Sequence, residues 1–168
     1  MVGRVCPRHG HRGRPLNSAV RQRVSVVAEI KQWWGWVGID PVEVVAMNAF
    51  GNLLIRDTSG KIWRLCPEDL YCRVVAGNDV ELGKLLQNAD FAEDWEMRAL
   101  VRRAHDKLGP LTESRRYHLK IPAPLGGAYD ADNMSVVPIE DIISFSGHVA
   151  NQIKDLPDGA QVRFKVVD

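Results

Sequence analysis

The sequence has no apolar run close to the roughly 18 residues that a membrane-spanning helix needs. Its first residues carry charge without an apolar stretch behind them, so they do not match a secretory signal. Cysteine is scarce, and its odd count of three argues against a disulfide framework. These absences favour a cytoplasmic protein with reduced thiols, and we expect Cys66 and Cys72 to be plain buried thiols.

The sequence also lacks a recognisable catalytic arrangement. Ser146 and His148 are close along the chain, but residues this near on a helix point in different directions. Gly126 and Gly127 are not followed by the lysine and hydroxyl residue of a phosphate-binding loop, and a loop that needs positive φ accounts for them better. Ser146 and Gly147 are better understood as small residues that let another element approach their helix. We therefore predict no enzyme activity and no cofactor.

Acidic residues are missing from the first 23 positions, which hold six of the 22 basic residues. This stretch is rich in arginine, glycine and proline, and it cannot bury enough apolar surface to offset its ordering entropy. We predict a disordered arm over residues 1–23 and one domain over residues 24–168. Without the arm, 16 basic residues face 21 acidic ones, so the domain carries a charge of about −5 and favours basic partners over nucleic acid.

The arm contains the spacing Cys6-x-x-His9-x-His11, which suggests a pair of zinc ligands. A structural zinc site needs four well-placed ligands, usually in two pairs, and no second pair lies nearby. We therefore predict no metal site.

Beyond the arm, short β-branched runs and helical patterns come in blocks, which favours an α+β fold over a doubly wound one. Strands are predicted over residues 42–48, 52–56, 61–66, 70–76, 117–121, 135–137 and 161–167. Helices are predicted over residues 25–34, 78–86, 89–108 and 138–154. The turn at 57–60 predicts a hairpin, and the short loops predict an antiparallel meander packed against the helices in a single compact domain.

Local signals refine these elements. Ser25 is the expected N-cap of the first helix, and Asn78 stands three residues before Glu81, which is the capping-box spacing. Three tryptophans at positions 33, 34 and 36 cannot all face one core. We expect one or two in the core and one at a contact surface, where tryptophan is enriched.

Acidic residues at the start of the long predicted helix form the candidate partner-binding surface. We expect the contact residues to be Asp90, Glu93 and Asp94, extended by Glu68 and Asp69, with Tyr129 and Asp130 on the loop after the two glycines. The alternative is purely structural, because acids at a helix start suit the helix dipole and Asp94 can pair with Arg98 four residues on.

An ordered series of short segments resembles a known family of small bacterial proteins. It includes WGWVGIDP at 34–41, NAFGNLL at 48–54, WRLCPEDL at 63–70, YHLKIP at 117–122 and QIKDLPDG at 152–159, with shorter matches at 57–60, 125–127, 132–133 and 146–147. From about residue 29 to the C-terminus, the chain is similar to the immunity proteins for type VI secretion and Rhs-type toxins, whose prototype neutralises a secreted DNase. The resemblance implies a cytoplasmic inhibitor that binds a cognate effector toxin domain and needs no cofactor.

Three functional hypotheses follow. The leading one is an immunity protein that neutralises a secreted antibacterial toxin by direct binding and occlusion of its active site. The second is a nucleic-acid-associated regulatory protein that uses the arginine-rich arm to track phosphates. The third is a hydrolase or transferase with a dispersed site, since carboxylates are plentiful although no pair is placed by spacing in one pocket.

Overall fold

The computed structural model describes residues 18–157 and 159–162 of this protein. In chain order the elements are α1 (Ser18–Trp34), β1 (Pro41–Met47), β2 (Leu53–Asp57), β3 (Ile62–Cys66), β4 (Tyr71–Ala76), α2 (Asp79–Leu86), α3 (Ala89–Glu96), α4 (Arg98–Leu108), β5 (Arg115–Leu119), β6 (Met134–Pro138) and α5 (Ile139–Ile153). Short 3-10 turns lie at Gly35–Val37, Ala123–Leu125 and Ala131–Asn133.

Strands β1 to β4 form an antiparallel sheet in the order β1-β2-β3-β4, and β5 pairs with β6 in a separate antiparallel ribbon. The predicted α+β class and the meander are therefore confirmed. At the hairpin between β2 and β3, the Asp57 carboxylate accepts hydrogen bonds from the Ser59 and Lys61 backbone N–H groups and from Trp63 Nε1. Burial opposes ionisation of Asp57, but hydrogen bonds from Ser59 and Trp63 hold its pKa below the usual value.

Helices cover both faces of the four-stranded sheet, so its strands carry apolar residues on both sides. On one face α1 and α5 enclose a cluster of Val26, Ile30, Trp34, Ile139, Ile142 and Ile143 against Val44, Leu53, Ile55, Leu65 and Cys72. On the other face α2 and α3 pack Leu82, Phe91 and Trp95 against Leu54, Ile62 and Ala76. A third cluster joins α4 to the ribbon through Phe50, Leu100, Ala104, Tyr117, Leu119 and Met134.

Helices α1 and α5 approach closely where α5 has small residues. A Cβ built on Gly147 would lie 2.7 Å from the Trp33 carbonyl oxygen and 2.9 Å from Trp34 Nε1. The Trp34 indole is buried, and its Nε1 donates to the Ile143 carbonyl at 3.2 Å. The predicted role of Ser146 and Gly147 in letting another element approach is confirmed.

The three neighbouring tryptophans have different environments. Trp34 is in the core, Trp33 is half-buried, and Trp36 is 38% exposed and stacks on Trp34 with ring centroids 5.9 Å apart. One indole is therefore on the surface, as expected. Its contact with a partner stays a prediction.

The first helix begins earlier than its sequence signals indicate. Helix α1 starts at Ser18, so Ser25 lies inside it and the prediction of Ser25 as N-cap is wrong. Extending a helix that is already anchored costs less than nucleating one, and arginine is a good helix former. Helix α1 therefore includes residues 18–23 of the predicted disordered arm. Residues 1–17, with the zinc-like spacing of Cys6, lie outside the described residues, and the domain boundary stays a prediction.

The long helix predicted over residues 89–108 is broken at Met97, so that prediction is wrong. Met97 has a left-handed backbone with φ of 47°, which ends α3 and starts α4. The Asn48 side chain stabilises this break because its Nδ2 donates to the Trp95 carbonyl at 2.7 Å. The predicted pairing of Asp94 with Arg98 is also wrong, because Arg98 pairs with Glu96 instead.

Helix α2 confirms the predicted start signal. Asn78 is its N-cap and accepts from the Glu81 backbone N–H at 3.0 Å, while the Glu81 carboxylate accepts from the Gly77 N–H at 2.6 Å. The two side chains thus satisfy backbone donors at both sides of the helix start.

The strand predicted over residues 161–167 falls mostly outside the described part of the chain.

Candidate partner-binding site

A surface cavity of about 680 Å³ lies where α3 meets α4. Its apolar lining consists of Ala89, Ala92, Met97, Ala99, Leu100 and Tyr129, and its charged lining consists of Glu93, Asp94, Arg98 and Arg103. All four charged residues are exposed, whereas Leu100 is buried and Met97 is half-buried. The cavity thus combines apolar surface with charges of both signs.

The structure brings several of the predicted contact residues to this cavity. Glu93, Asp94 and Tyr129 line it, and Asp69 is bound to Tyr129. Asp90 is exposed on the first turn of α3 but is not part of the lining.

The loop that carries Tyr129 is held by backbone geometry and polar side chains. Gly126 is left-handed with φ of 87°, and a Cβ on Gly127 would lie only 1.7 Å from the Ile121 carbonyl oxygen. Asn133 Nδ2 donates to the carbonyls of Ile121 and Ala128, and Asp130 accepts from the Asn133 N–H. The prediction of a loop that needs positive φ is confirmed at Gly126, whereas Gly127 is required by the close approach of the Ile121 carbonyl. Asp130 has a structural role as a cap.

Tyr129 connects this loop to the turn between β3 and β4. Its hydroxyl donates to the Asp69 carboxylate at 2.5 Å. The other Asp69 oxygen accepts from the Cys66 thiol at 3.5 Å. Burial and the bond to Asp69 raise the pKa of Tyr129, so the phenol stays a donor at neutral pH.

A buried arginine, Arg64, binds Asp94 in the wall of the cavity. Arg64 on β3 is 6% exposed and pairs with Asp94, while its Nη2 donates to Asn52 Oδ1 at 3.1 Å. Its guanidinium also lies 5.6 Å from the Phe91 ring centroid and 5.9 Å from that of Trp95, within cation–π range. Asp94 is therefore oriented from inside the protein rather than by a neighbour on its own helix.

Glu68 lies behind this arrangement and not on the surface. It is 2% exposed, so the expectation that it is an exposed contact residue is wrong, and its contact with a partner stays a prediction. Its Oε1 accepts from Asn52 Nδ2 at 2.6 Å, whereas its Oε2 has no hydrogen-bond partner among the described residues. Burial raises the pKa of Glu68 to about 7, against the opposing effect of the bond from Asn52.

Asn52, Arg64 and Met97 complete this site, and sequence reasoning missed all three. Arg64 stands between Ile62 and Leu65 in a run of apolar strand residues, which was a usable signal because a charge in a two-sided strand must find a buried partner. The left-handed backbone of Met97 had no comparable signal.

The remaining reactive side chains have structural environments. Ser146 is buried and its hydroxyl donates to the Ile142 carbonyl at 2.6 Å, while His148 is exposed and contacts Gln152. Cys66 and Cys72 are buried free thiols, as predicted, and burial raises the pKa of Cys72 to about 12. Such thiols are poor nucleophiles at neutral pH.

Residues 18–157 and 159–162 contain neither a metal-binding cluster nor a helix that could span a membrane. No group of three or more His, Cys, Asp or Glu side chains is arranged there to hold a metal ion. Within the same residues, every helix is too short or too polar to cross a membrane.

Comparison with known proteins gives a family match and similar solved structures. Residues 80–150 match the family model described as "T6SS immunity protein Tdi1, C-terminal". This segment covers fewer than half of the 168 residues, and it contains all the residues that line the cavity. The match confirms the resemblance to type VI secretion immunity proteins, although residues 29–79, which share that resemblance, lie outside it. No curated protein matches the chain.

One similar structure is the "Crystal structure of Atu4351 from Agrobacterium tumefaciens", with a TM-score of 0.50 and 19% sequence identity. The alignment covers 76% of this chain and 63% of that one, so this protein spans less than two thirds of the length of its structural neighbour. At this identity the likeness concerns the fold alone.

Proposed function

We propose that this protein is an immunity protein of the type VI secretion family, which the match over residues 80–150 supports, and that it neutralises a cognate toxin by binding it directly. The bound protein occludes the toxin's active site, and it acts in the cytoplasm of the cell that it protects. It works as an inhibitor and not as an enzyme, since Ser146 and the buried thiols are held in structural environments.

The cavity between α3 and α4 is the observation that carries this proposal. Its volume of about 680 Å³ is enough to receive one or more large side chains of a partner. Binding energy in protein interfaces concentrates where a few anchors fill a pocket that charged and polar groups surround. The apolar residues Met97, Leu100 and Tyr129 provide such a pocket, and Glu93 stands at its edge.

The charges around the cavity support a basic partner surface. Asp90, Glu93 and Asp94 are all exposed on α3. Asp69 is exposed and bound to Tyr129 of the cavity wall, and Asp130 is exposed next to Tyr129 along the chain. The domain outside the arm has an excess of acidic residues, which speeds association with a basic surface. Toxins that act on nucleic acids need such basic clefts, so the proposed surface complements their active sites.

The test is a co-expression experiment with the toxin domain encoded beside this gene. We expect a stable complex and rescue of otherwise poisoned cells. Rescue without a complex would indicate an enzymatic antidote, and failure of both would refute the immunity function.

A charge reversal tests the site itself. We expect Glu93→Lys to slow association by about tenfold at low salt, because it reverses an exposed charge at the cavity. Glu113→Lys is the matched control, since Glu113 is exposed and is not among the residues that line the cavity. Equal association rates for the two variants would rule out this surface. Glu93 is preferred to Asp94 because reversing Asp94 would also remove the partner of Arg64.

A further inference from the structure

The Glu68 carboxylate is a buried acceptor that is only half used. Asn52 donates to its Oε1, but Oε2 is enclosed and has no hydrogen-bond partner in the described part of the chain. A buried polar atom without a partner costs free energy, and native proteins keep few of them. An unpartnered oxygen of this kind therefore indicates a position that another group can satisfy.

Two routes connect Glu68 to the cavity, one through hydrogen bonds alone and one through its neighbour along the chain. The first runs from Asp94, which lines the cavity, through Arg64 and Asn52 to Glu68. The second runs from Tyr129, which also lines the cavity, to Asp69, the residue next to Glu68. Glu68 is therefore linked to two residues of the cavity wall, Asp94 and Tyr129, without being part of the lining.

Neither Glu68 nor Asp69 forms a salt bridge with a basic side chain among the described residues. Glu68 and Asp69 are adjacent carboxylates, which we call the carboxylate pair. Arg64 acts on Glu68 electrostatically, but it is bound to Asp94 and is separated from Glu68 by Asn52. A neutral donor would supply only a hydrogen bond to Oε2, whereas an ammonium or guanidinium group would supply that bond and also stabilise the ionised form of Glu68 beside Asp69.

Tyr129 is placed to control access to the carboxylate pair. Its hydroxyl is bound to Asp69, and its side chain is 37% exposed. Moving it breaks one hydrogen bond and leaves the three apolar clusters of the core intact, because Tyr129 belongs to none of them. Gly126, with its left-handed backbone, begins the loop that carries it.

We propose that the carboxylate pair of Glu68 and Asp69 receives a lysine or arginine side chain of the bound toxin, which enters through the cavity by displacing the Tyr129 hydroxyl. This inference rests on the proposed function, because it names the chemistry of the group that anchors the partner. In the free protein the Tyr129 hydroxyl occupies Asp69, and we call this contact the latch. Glu68 becomes fully hydrogen-bonded only in the complex.

Titration calorimetry of the full chain with the toxin domain encoded beside its gene tests this inference. We expect Glu68→Gln to weaken binding by at least about tenfold, because the variant keeps the shape of the side chain and removes the charge that holds the cation. Glu113→Gln makes the same chemical change at an exposed position away from the cavity, and its affinity should stay within about twofold of the natural protein. Tyr129→Phe should bind no more weakly, since it releases the latch while keeping the ring.

A double-mutant cycle then identifies the cation. Each lysine and arginine of the toxin domain is replaced by methionine and measured against both natural protein and Glu68→Gln. One position should lose affinity with the natural protein and lose almost none with the variant. Natural affinity in Glu68→Gln, or no coupled position, would overturn the inference while leaving the proposed function in place. No complex with the natural protein would refute the proposed function and this inference together.

Discussion

Replacing Glu68 with glutamine should make this protein more stable at neutral pH and change how its stability depends on pH. The pKa of Glu68 is raised from an ordinary 4.5 to about 7 in the folded protein, chiefly by burial. A difference of about 2.5 units at 1.36 kcal/mol per unit corresponds to an upper bound of about 3 kcal/mol. This free energy is what the folded protein loses when the buried carboxyl must ionise.

The direction follows from proton binding. The folded carboxyl holds its proton more tightly than the unfolded one, so its contribution favours the folded state fully below about pH 4.5 and is lost as the pH rises to about 7. Glutamine does not ionise. The free energy of unfolding of Glu68→Gln should therefore match that of the natural protein near pH 4.5 and exceed it by up to about 3 kcal/mol at pH 8.

Urea unfolding of both proteins at several pH values between 4.5 and 8 measures this difference. Ionisation of other groups, such as Asp57, affects both proteins alike and cancels in the comparison. Glu113→Gln serves as the control and should give a difference that does not change with pH. A Glu68→Gln difference that stays constant or shrinks as pH rises would refute the assignment of Glu68 as a carboxyl that resists ionisation.

Predictions for three further substitutions concern the fold. Gly147→Ala should lower the free energy of unfolding by about 1–3 kcal/mol, because its Cβ would meet the Trp33 carbonyl oxygen at 2.7 Å. Gly83→Ala on α2, where nothing lies within 4 Å, should raise it by about 0.5–1 kcal/mol, and equal effects of the two changes in urea unfolding would contradict the close approach. Asp57→Ala should cost about 1–3 kcal/mol because the hairpin loses the acceptor for Trp63 Nε1. Thermal unfolding at pH 7 measures this loss, and an unchanged midpoint would show that the turn does not depend on the carboxylate.

Features whose causes lie within a few residues could be predicted from the sequence. The hairpin around residues 57–60 and the Asn78 cap of α2 depend on local turn and capping chemistry, and both are present. The close approach at Gly147 could also be predicted, because a glycine lowers helix stability and is kept on an apolar helix face where a neighbouring element needs the space.

The break at Met97 and the burial of Glu68 have causes far along the chain. Asn48 reaches the Trp95 carbonyl across 47 positions, so no pattern within residues 89–108 indicated that the helix ends there. Glu68 was expected on the surface because charge usually implies exposure, but it is 2% exposed and bound by Asn52, which lies 16 positions away along the chain. The candidate site could therefore be located approximately from the sequence, while its inner half required the structure.

The way α5 packs has a consequence for how the chain can be divided. Residues 80–150 match a family model, yet Ile142 and Ile143 in this segment are buried against Leu53 and Leu65, which lie outside it. A fragment limited to residues 80–150 would expose that apolar surface of α5 to water. The segment that matches the family model is therefore not an independent folding unit, because its limits cut through a core that the rest of the chain completes.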